Sequence, residues 1–187
     1  MKDTPMPSTI DRQHTPVVVQ IVGYKNSGKT TLIGALLQHW STQGKKVAVI
    51  KHDAHEFQMD HAGTDTYAHT QAGAAAIAIS SATRTAIIEQ HSSTLEELIS
   101  RFEVGYDLIL VEGFKQAHYP KIVIVADEQG ISLVHELVQV KWVYNRYSSS
   151  ISSNLKEITF IDAEKDGIIT IIHELENYIE AQGEHQK

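Results

Sequence analysis

Residues 23–30 combine glycine, lysine and threonine at the spacing of a phosphate-binding loop. They are Gly-Tyr-Lys-Asn-Ser-Gly-Lys-Thr and fit the P-loop pattern GxxxxGK(S/T). Gly23 and Gly28 allow the backbone to wrap tightly and to turn its N–H groups inward, which forms an anion-binding concavity. Lys29 offers a positive charge to the terminal phosphates, and Thr30 offers a hydroxyl to Mg²⁺. The pattern therefore predicts a site for a nucleoside triphosphate with magnesium.

The flanking sequence is that of a strand before this loop and a helix after it. Residues 17–22 are almost entirely apolar, as in a central parallel strand, and a helical pattern covers about 28–43. The start of that helix adds free N–H donors and the positive end of its dipole. We therefore assign nucleotide binding to the whole loop, namely Gly23, Lys25, Asn26, Ser27, Gly28, Lys29, Thr30 and Thr31.

A second candidate for the magnesium ion follows a later apolar strand. Residues 108–111 are Leu-Ile-Leu-Val, and Glu112 stands directly after them. A P-loop site needs an acid for its metal, and the end of a buried neighbouring strand is the usual place. A surface glutamate at a strand end is the alternative interpretation. Asp107 precedes the same strand, at the wrong end for the metal, and is interpreted as structural.

A polar segment at residues 51–66 follows the second predicted strand, at 47–50, and carries further acids. Ligands of open α/β sheets bind at the carboxyl ends of strands, so this segment belongs at the same edge as the loop. Asp53, Asp60 and Asp65 compete for a role on Mg²⁺ or on the attacking water. We favour Asp53 as a metal ligand and as a catalytic residue beside Lys29, although each of the three also suits a loop or cap.

Four histidines in this region could bind a transition metal: His52, His55, His61 and His69. The chain has no cysteine, and their spacing matches no compact ligand motif. Polar loop residues beside an anionic ligand explain these histidines equally well.

The composition indicates a globular protein of one domain with an N-terminal arm. The chain has 187 residues, of which 42% are hydrophobic and 21% charged. A net charge of -7 argues against nucleic-acid binding, and no apolar run approaches the roughly 18 residues of a membrane span. We expect a flexible arm at 1–16, a single P-loop nucleotide-binding domain at 17–187, and a cytoplasmic location, where nucleoside triphosphates are found.

The order of predicted elements indicates the fold class. A strand–loop–helix–strand unit opens the chain, and further strands and helices follow it, which predicts an α/β fold with a P-loop NTPase-like, mostly parallel doubly wound sheet flanked by helices. Residues 130–144 show no clean period and are interpreted as a short strand or irregular structure. We also expect strands at 74–80, 85–89, 121–125 and 158–161, helices at 64–72, from 95 and at 167–179, and an exposed loop at 145–154.

Four sequence blocks together resemble one family. Residues 23–32, 51–55 with Asp60, Gly63 and Asp65, 110–115, and 119–122 are similar to blocks of the molybdopterin-guanine dinucleotide biosynthesis adapter family, MobB. The resemblance covers about residues 17–125. It implies GTP binding with Mg²⁺, weak GTPase activity and a homodimer. It also implies two partners: molybdopterin or its guanine dinucleotide, and the guanylyltransferase MobA, which attaches GMP to molybdopterin.

The sequence departs from the motifs of related P-loop proteins in two places. The family belongs with dimeric P-loop proteins of the MinD type, whose signature lysine directly follows the first loop residue, whereas Tyr24 holds that position here and Lys25 follows it. The chain also has no Asn-Lys-x-Asp stretch, the usual guanine-reading motif, so the guanine preference rests on the resemblance alone.

Two other functions use the same loop. A GTPase metallochaperone would account for the histidines, and a small-molecule kinase or synthetase would account for Glu112-Gly113, which resembles dethiobiotin-synthetase-like enzymes. In every case we expect slow intrinsic hydrolysis, because the sequence marks no arginine or glutamine as a charge-stabilising or water-holding residue.

Overall fold

The computed structural model describes residues 15–53, 57–147 and 157–184. The elements in chain order are β1 (Val17–Val22), α1 (Lys29–Thr42), β2 (Val47–Lys51), α2 (Asp65–Gln71), β3 (Ala76–Ser80), β4 (Thr85–Glu89), α3 (Leu95–Ser100), β5 (Leu108–Glu112), β6 (Lys121–Val125), α4 (Glu128–Glu136), β7 (Val140–Asn145), β8 (Thr159–Asp162) and α5 (Gly167–Glu184).

The chain divides into two units, which are described separately. The larger consists of Met1–His52 and Leu95–Lys187, and the smaller of Asp53–Thr94. The single domain expected over 17–187 stays a prediction. Residues 1–14 of the expected arm at 1–16 lie outside the described residues.

A six-stranded sheet forms the centre of the larger unit. Its order is β2-β5-β1-β6-β7-β8, and every adjacent pair is parallel. The strands β5 and β6 are buried along their whole length, as expected of parallel strands that are covered on both faces. The predicted mostly parallel α/β sheet is therefore confirmed.

Helices cover both faces of this sheet. On one face, α1 and α5 pack on the central strands through a cluster that includes Trp40, Ile171 and Leu175. On the other face, α3 packs against β2 and β5, while α4 packs against β6 and β7. Among the described residues, no helix combines the length and the apolar character needed to cross a bilayer.

The smaller unit contains one helix and one hairpin. The strands β3 and β4 pair antiparallel, with Ala76 opposite Glu89. The predicted helix at 64–72 is present as α2, and Thr64 caps it, because its hydroxyl accepts a hydrogen bond of 3.2 Å from the Tyr67 N–H. Both predicted strands are present, the first beginning two residues later than expected.

The interpretation of residues 130–144 as a short strand or irregular structure missed a helix, although a strand is present in this region. This region contains most of α4 and nearly all of β7. Asp127 caps α4 by accepting a hydrogen bond of 2.9 Å from the Gly130 N–H. The buried side of α4 consists only of Gly130, Leu133 and Val134, which is too few positions to give a clear helical period.

The expected boundaries near the carboxyl end also changed. The loop predicted at 145–154 begins one residue later than expected, because Asn145 is the last residue of β7. Residues 148–154 of this predicted loop lie outside the described residues. The closing helix α5 continues to Glu184, beyond the predicted end at 179.

Gln20 is a polar residue that lies fully buried in the middle of β1. Its Nε2 donates hydrogen bonds to the carbonyls of Gly113 (3.0 Å) and Phe114 (2.9 Å), and its Oε1 accepts one of 3.3 Å from the Tyr119 N–H. A buried amide that makes three hydrogen bonds avoids the cost of burying unpaired polar atoms. Gln20 therefore holds both ends of the β5–β6 loop, residues 113–120.

Lys121 is a second buried polar residue and holds the same loop. Its side chain is fully buried in β6, and its Nζ donates to the carbonyls of Ala117 and of Tyr119, the latter at 3.0 Å. Among the described residues, no carboxylate lies within ion-pair distance of this Nζ. Burial in these surroundings lowers the pKa of the Lys121 ammonium below the usual value for lysine.

We predict that Lys121 makes stability depend on pH in a specific direction. Because its pKa is lowered by folding, the unfolded chain binds this proton more tightly, so the contribution of Lys121 to the free energy of unfolding rises with pH up to about 10.5, the ordinary lysine value. Denaturant unfolding of the wild type and of Lys121→Met between pH 7 and pH 10 measures this effect.

The wild type should gain stability relative to Lys121→Met as the pH rises. Lys46→Met is a suitable control, because Lys46 is exposed and precedes β2 at the opposite edge of the sheet. A stability difference between wild type and Lys121→Met that stays constant over this range would contradict the prediction.

Candidate nucleotide-binding site

The loop between β1 and α1 has the backbone form that its glycines suggest. Gly28 precedes the helix with φ 104°, in the left-handed region that L-residues rarely adopt. The helix begins at Lys29, and its first hydrogen bond runs from the Leu32 N–H to the Gly28 carbonyl at 3.0 Å. The earlier N–H groups of the first turn therefore remain available to an anion.

The beginning of the loop is packed too closely for any side chain at Gly23. A Cβ there would lie 2.5 Å from Ser27 Oγ and 3.1 Å from the Ile124 carbonyl oxygen. Ser27 is itself buried, and its hydroxyl has no hydrogen-bond partner among the described residues. The Ser27 N–H also donates a hydrogen bond of 3.3 Å to the Tyr24 carbonyl, so residues 23–27 curl into a compact ring.

Lys29 lies over this ring. Its Nζ donates hydrogen bonds to the carbonyls of Gly23 (3.2 Å) and Tyr24 (2.7 Å), which leaves the third ammonium hydrogen for another acceptor. Partial burial lowers the pKa of Lys29. The carboxylate of Glu112 opposes that shift, while the positive charges of Lys115 and Lys51 add to it.

Glu112 lies beside the loop, on the strand next to β1. The parallel register pairs Glu112 with Ile21, and the Gly113 N–H donates a hydrogen bond of 3.2 Å to the Ile21 carbonyl. The residue is only 9% exposed, and its carboxylate is 3.9 Å from Lys51 Nζ. The structure therefore brings Glu112 to the same sheet edge as the P-loop, while its predicted metal role stays a prediction.

Lys115 is a residue near the loop that the sequence analysis did not select. Its Nζ is 4.4 Å from the centre of the Tyr24 ring. Such a cation–π contact contributes about 0.5–2 kcal/mol, depending on how far water is excluded. The available signal was a lysine three residues after a strand-terminal glutamate, and nothing in the spacing indicates that this lysine contacts Tyr24.

Arg146 is a second residue near the loop that was missed. It follows β7 directly, and its Nη1 donates a hydrogen bond of 2.8 Å to the Ser27 carbonyl. Its guanidinium also occupies the space where a Cβ of Gly28 would lie. Because carbonyl and N–H of a trans peptide point in opposite directions, holding the Ser27 carbonyl also fixes the direction of the Gly28 N–H.

The other predicted loop residues are more open to solvent. Lys25, Asn26, Thr30 and Thr31 are all exposed. Thr30 and Thr31 belong to the first turn of α1, where a hydroxyl can meet a metal or a phosphate. The assignment of these four residues to nucleotide binding stays a prediction.

The acids of the polar segment belong to the smaller unit. Asp53 is exposed and opens that unit, so its predicted catalytic and metal roles stay predictions. Asp60 Oδ1 accepts hydrogen bonds from the Thr64 hydroxyl (2.5 Å) and the His61 N–H (2.9 Å), which lower the pKa of the Asp60 carboxyl. Asp65 is the first residue of α2. Asp60 thus supports the N-cap of α2, as the structural alternative proposed.

The histidines of this segment do not form a metal cluster among the described residues. No group of three or more histidine, aspartate and glutamate side chains there is arranged to hold a metal ion. His52 instead contacts Phe114, with ring centres 4.6 Å apart, and donates its backbone N–H to the Glu112 carbonyl at 2.9 Å. His55 lies outside the described residues.

The fold and this loop define the class of protein. A central parallel strand, a glycine-rich loop with lysine and threonine, and the helix that follows make up a P-loop fold. The family model for MobB, described as molybdopterin guanine dinucleotide synthesis protein B, matches residues 18–143. The chain belongs to this family.

Individual relatives and a solved structure agree with the family model. A relative from Methanocaldococcus jannaschii is 35% identical over 146 residues, which are 75% of this chain and 60% of the relative, so the match spans less than two thirds of that protein. The molybdopterin-guanine dinucleotide biosynthesis adapter protein of Haemophilus influenzae is 33% identical, with 82% and 88% of the two chains covered. The crystal structure of Bacillus subtilis MobB superposes with a TM-score of 0.69 at 29% identity, covering 84% and 96%.

We predict opposite effects for alanine at two glycines close to each other in the chain. Gly28→Ala should destabilise the protein by about 1–2 kcal/mol or more, because φ is positive and Arg146 fills the space. Gly34→Ala should stabilise it by about 0.5–1 kcal/mol, because Gly34 lies within α1 and nothing surrounds its missing Cβ. Chemical denaturation measures both, and equal effects would contradict the assigned loop conformation.

Proposed function

We propose that the protein is a GTP-binding accessory protein of molybdopterin guanine dinucleotide biosynthesis that assists the guanylyltransferase MobA. Membership of the MobB family supports the pathway, since relatives carry the name of adapter proteins for this biosynthesis. The observation that carries nucleotide binding is the Lys29 ammonium, held above a ring of backbone at the start of α1. Molybdopterin or its guanine dinucleotide is the further ligand that this function requires.

The triphosphate would bind where three sources of positive potential meet. Free N–H groups of the loop and of the first turn of α1 would face the bound anion, and the helix dipole would add to their effect. Lys29 has one unused ammonium hydrogen, and a phosphate oxygen would also compete for the two that now bind loop carbonyls. This arrangement recognises phosphate and is indifferent to the base.

The residues beside the loop fit a magnesium ion. Mg²⁺ prefers hard oxygen ligands and is bound by one or two carboxylates together with substrate phosphates. Glu112 offers a carboxylate that is nearly buried, and among the described residues no donor lies within hydrogen-bond distance of its oxygens. Thr30 would supply a hydroxyl, and Asp53 is the third proposed ligand. When bound, the ion would neutralise charge on the terminal phosphates.

We expect hydrolysis by the protein alone to be slow. Lys29 and Asp53 are the proposed catalytic residues, of which Lys29 would stabilise negative charge on the transferred phosphoryl group and Asp53 would orient water. Arg146, a cation beside the loop, already donates a hydrogen bond to the Ser27 carbonyl. Weak GTPase activity, a homodimer in solution and a cytoplasmic location complete the proposal.

Calorimetry with GTP and with ATP tests the nucleotide assignment. We predict that wild-type protein binds GTP with Mg²⁺ more tightly than ATP, and that Lys29→Ala weakens GTP binding by at least about tenfold, because it removes a charged hydrogen bond to phosphate. Lys46→Ala removes an exposed lysine from the opposite sheet edge and serves as the matched control. Unchanged affinity of Lys29→Ala would refute the site, whereas equal affinity for ATP would refute only the base preference.

Glu112→Gln tests the magnesium ligand. The change keeps the shape of the side chain and removes its charge, so we predict that the affinity for GTP without metal is kept or raised. The additional affinity that Mg²⁺ confers should fall at least about tenfold, because the ion loses a charged ligand. Parallel titrations in Mg²⁺ and in EDTA measure both quantities. An equal loss under the two conditions would mean that Glu112 has a structural role instead.

Binding to purified guanylyltransferase tests the adapter role. Sedimentation of the mixed proteins should show a complex with wild-type protein. Repeating the experiment with and without GTP would reveal whether nucleotide controls the association. If no complex forms under either condition, the proposed partner is wrong, although nucleotide binding would stand.

A further inference from the structure

Among the described residues, three lysines lie beside the loop together with the carboxylate of Glu112, which is 3.9 Å from Lys51 Nζ. Lys29, Lys51 and Lys115 lie close enough for the latter two to repel the Lys29 ammonium, and Glu112 is the carboxylate that attracts it. Bringing like charges together costs energy, and an anionic ligand offsets that cost. A triphosphate carries several negative charges and is therefore a suitable ligand for this lysine cluster.

Lys115 is the lysine of this cluster whose charge is not balanced by a nearby carboxylate in the part of the chain that the structure describes. It is only partly exposed, and among the described residues no carboxylate lies within 4 Å of its Nζ. The ammonium rests on the ring of Tyr24, the same residue whose carbonyl accepts a hydrogen bond from Lys29. Two ammonium groups therefore meet at one residue of the phosphate-binding loop.

The β5–β6 loop that carries Lys115 is anchored by two fully buried polar side chains. Gln20 holds the carbonyls of Gly113 and Phe114, and Lys121 holds those of Ala117 and Tyr119. The four carbonyls flank Lys115 on both sides in sequence. A buried charge is costly, so its presence under this loop indicates that the position of the loop matters.

We infer that Lys115 is a further triphosphate-binding residue of this site, and that Gln20 and Lys121 position the loop from which it acts. The inference rests on the proposed nucleotide function and adds a second lysine to it. Lys25, the other lysine of the loop that the sequence assigns to nucleotide binding, is exposed. The Tyr24 ring would keep the Lys115 ammonium within reach of the phosphates without competing for its hydrogen bonds, because a ring attracts the charge and accepts no conventional bond.

Titration with inorganic tripolyphosphate and with GTP tests the binding role of Lys115. Tripolyphosphate carries the phosphate charge without a base, so the result does not depend on guanine recognition. Lys115→Gln should bind both probes at least about tenfold more weakly than wild type, because it loses a charged contact. Guanosine, which has no phosphate, should bind both proteins equally. Lys46→Gln carries the same charge change at the opposite sheet edge and should bind like wild type, and Lys115→Arg should retain most of the affinity.

The outcomes separate this inference from the proposed function. If wild type binds neither probe, both are wrong. If wild type binds, Lys29→Ala loses binding and Lys115→Gln binds like wild type, the function stands and the inference about Lys115 is overturned. A loss in Lys115→Gln that is equal for GTP and guanosine would also overturn it, since a phosphate contact cannot affect a ligand without phosphate.

A double-mutant cycle tests the positioning role. Lys121→Met keeps nearly the same volume and removes the donor to the two loop carbonyls, so tripolyphosphate affinity should fall without any direct contact with the ligand. In the Lys115→Gln and Lys121→Met double variant, little further loss is expected, because Lys121 would act through Lys115. Fully additive losses, or unchanged affinity in Lys121→Met with its fold intact by circular dichroism, would overturn the positioning role.

Discussion

The parallel register between β1 and β5 is the constraint on which the site depends. It places Glu112 beside Ile21, two residues before the P-loop begins, and the bond from the Gly113 N–H to the Ile21 carbonyl continues it past the end of β5. A shift by one residue would turn the Glu112 side chain to the other face of the sheet. The carboxylate, the Lys29 ammonium and the β5–β6 loop are thus placed together by backbone pairing.

Much of this arrangement could be predicted because its causes are local. The strand β1, the glycine-rich turn and α1 are adjacent in sequence, and the polar end of the apolar strand β5 is visible in five residues. The helix α4 was missed because its buried side is short and includes Gly130, which packs against Val125 where a larger residue would not fit. Arg146 and Lys115 were missed for another reason: their contacts join segments far apart in sequence.

The buried side chains of Gln20 and Lys121 show that the central strands hold the β5–β6 loop in addition to forming the core. Apolar residues at both positions would suit a parallel sheet that is covered on both faces. The chain instead uses an amide and an ammonium, and their donors go to carbonyls of residues 113–119. Burial disfavours the charged form of Lys121 and lowers its pKa. These two polar side chains stabilise the sheet less than apolar residues would, and they hold the β5–β6 loop in a defined position at the carboxyl edge of the sheet.

Gly28 and Arg146 have a consequence for the design of variants. The Arg146 guanidinium occupies the space that a Cβ of residue 28 would need. It also donates a hydrogen bond to the Ser27 carbonyl. A substitution at position 28 therefore depends on the residue at position 146, although the two lie 118 positions apart in the chain. A smaller residue at position 146 would remove the collision with a side chain at position 28, but the positive φ of position 28 would still favour glycine there.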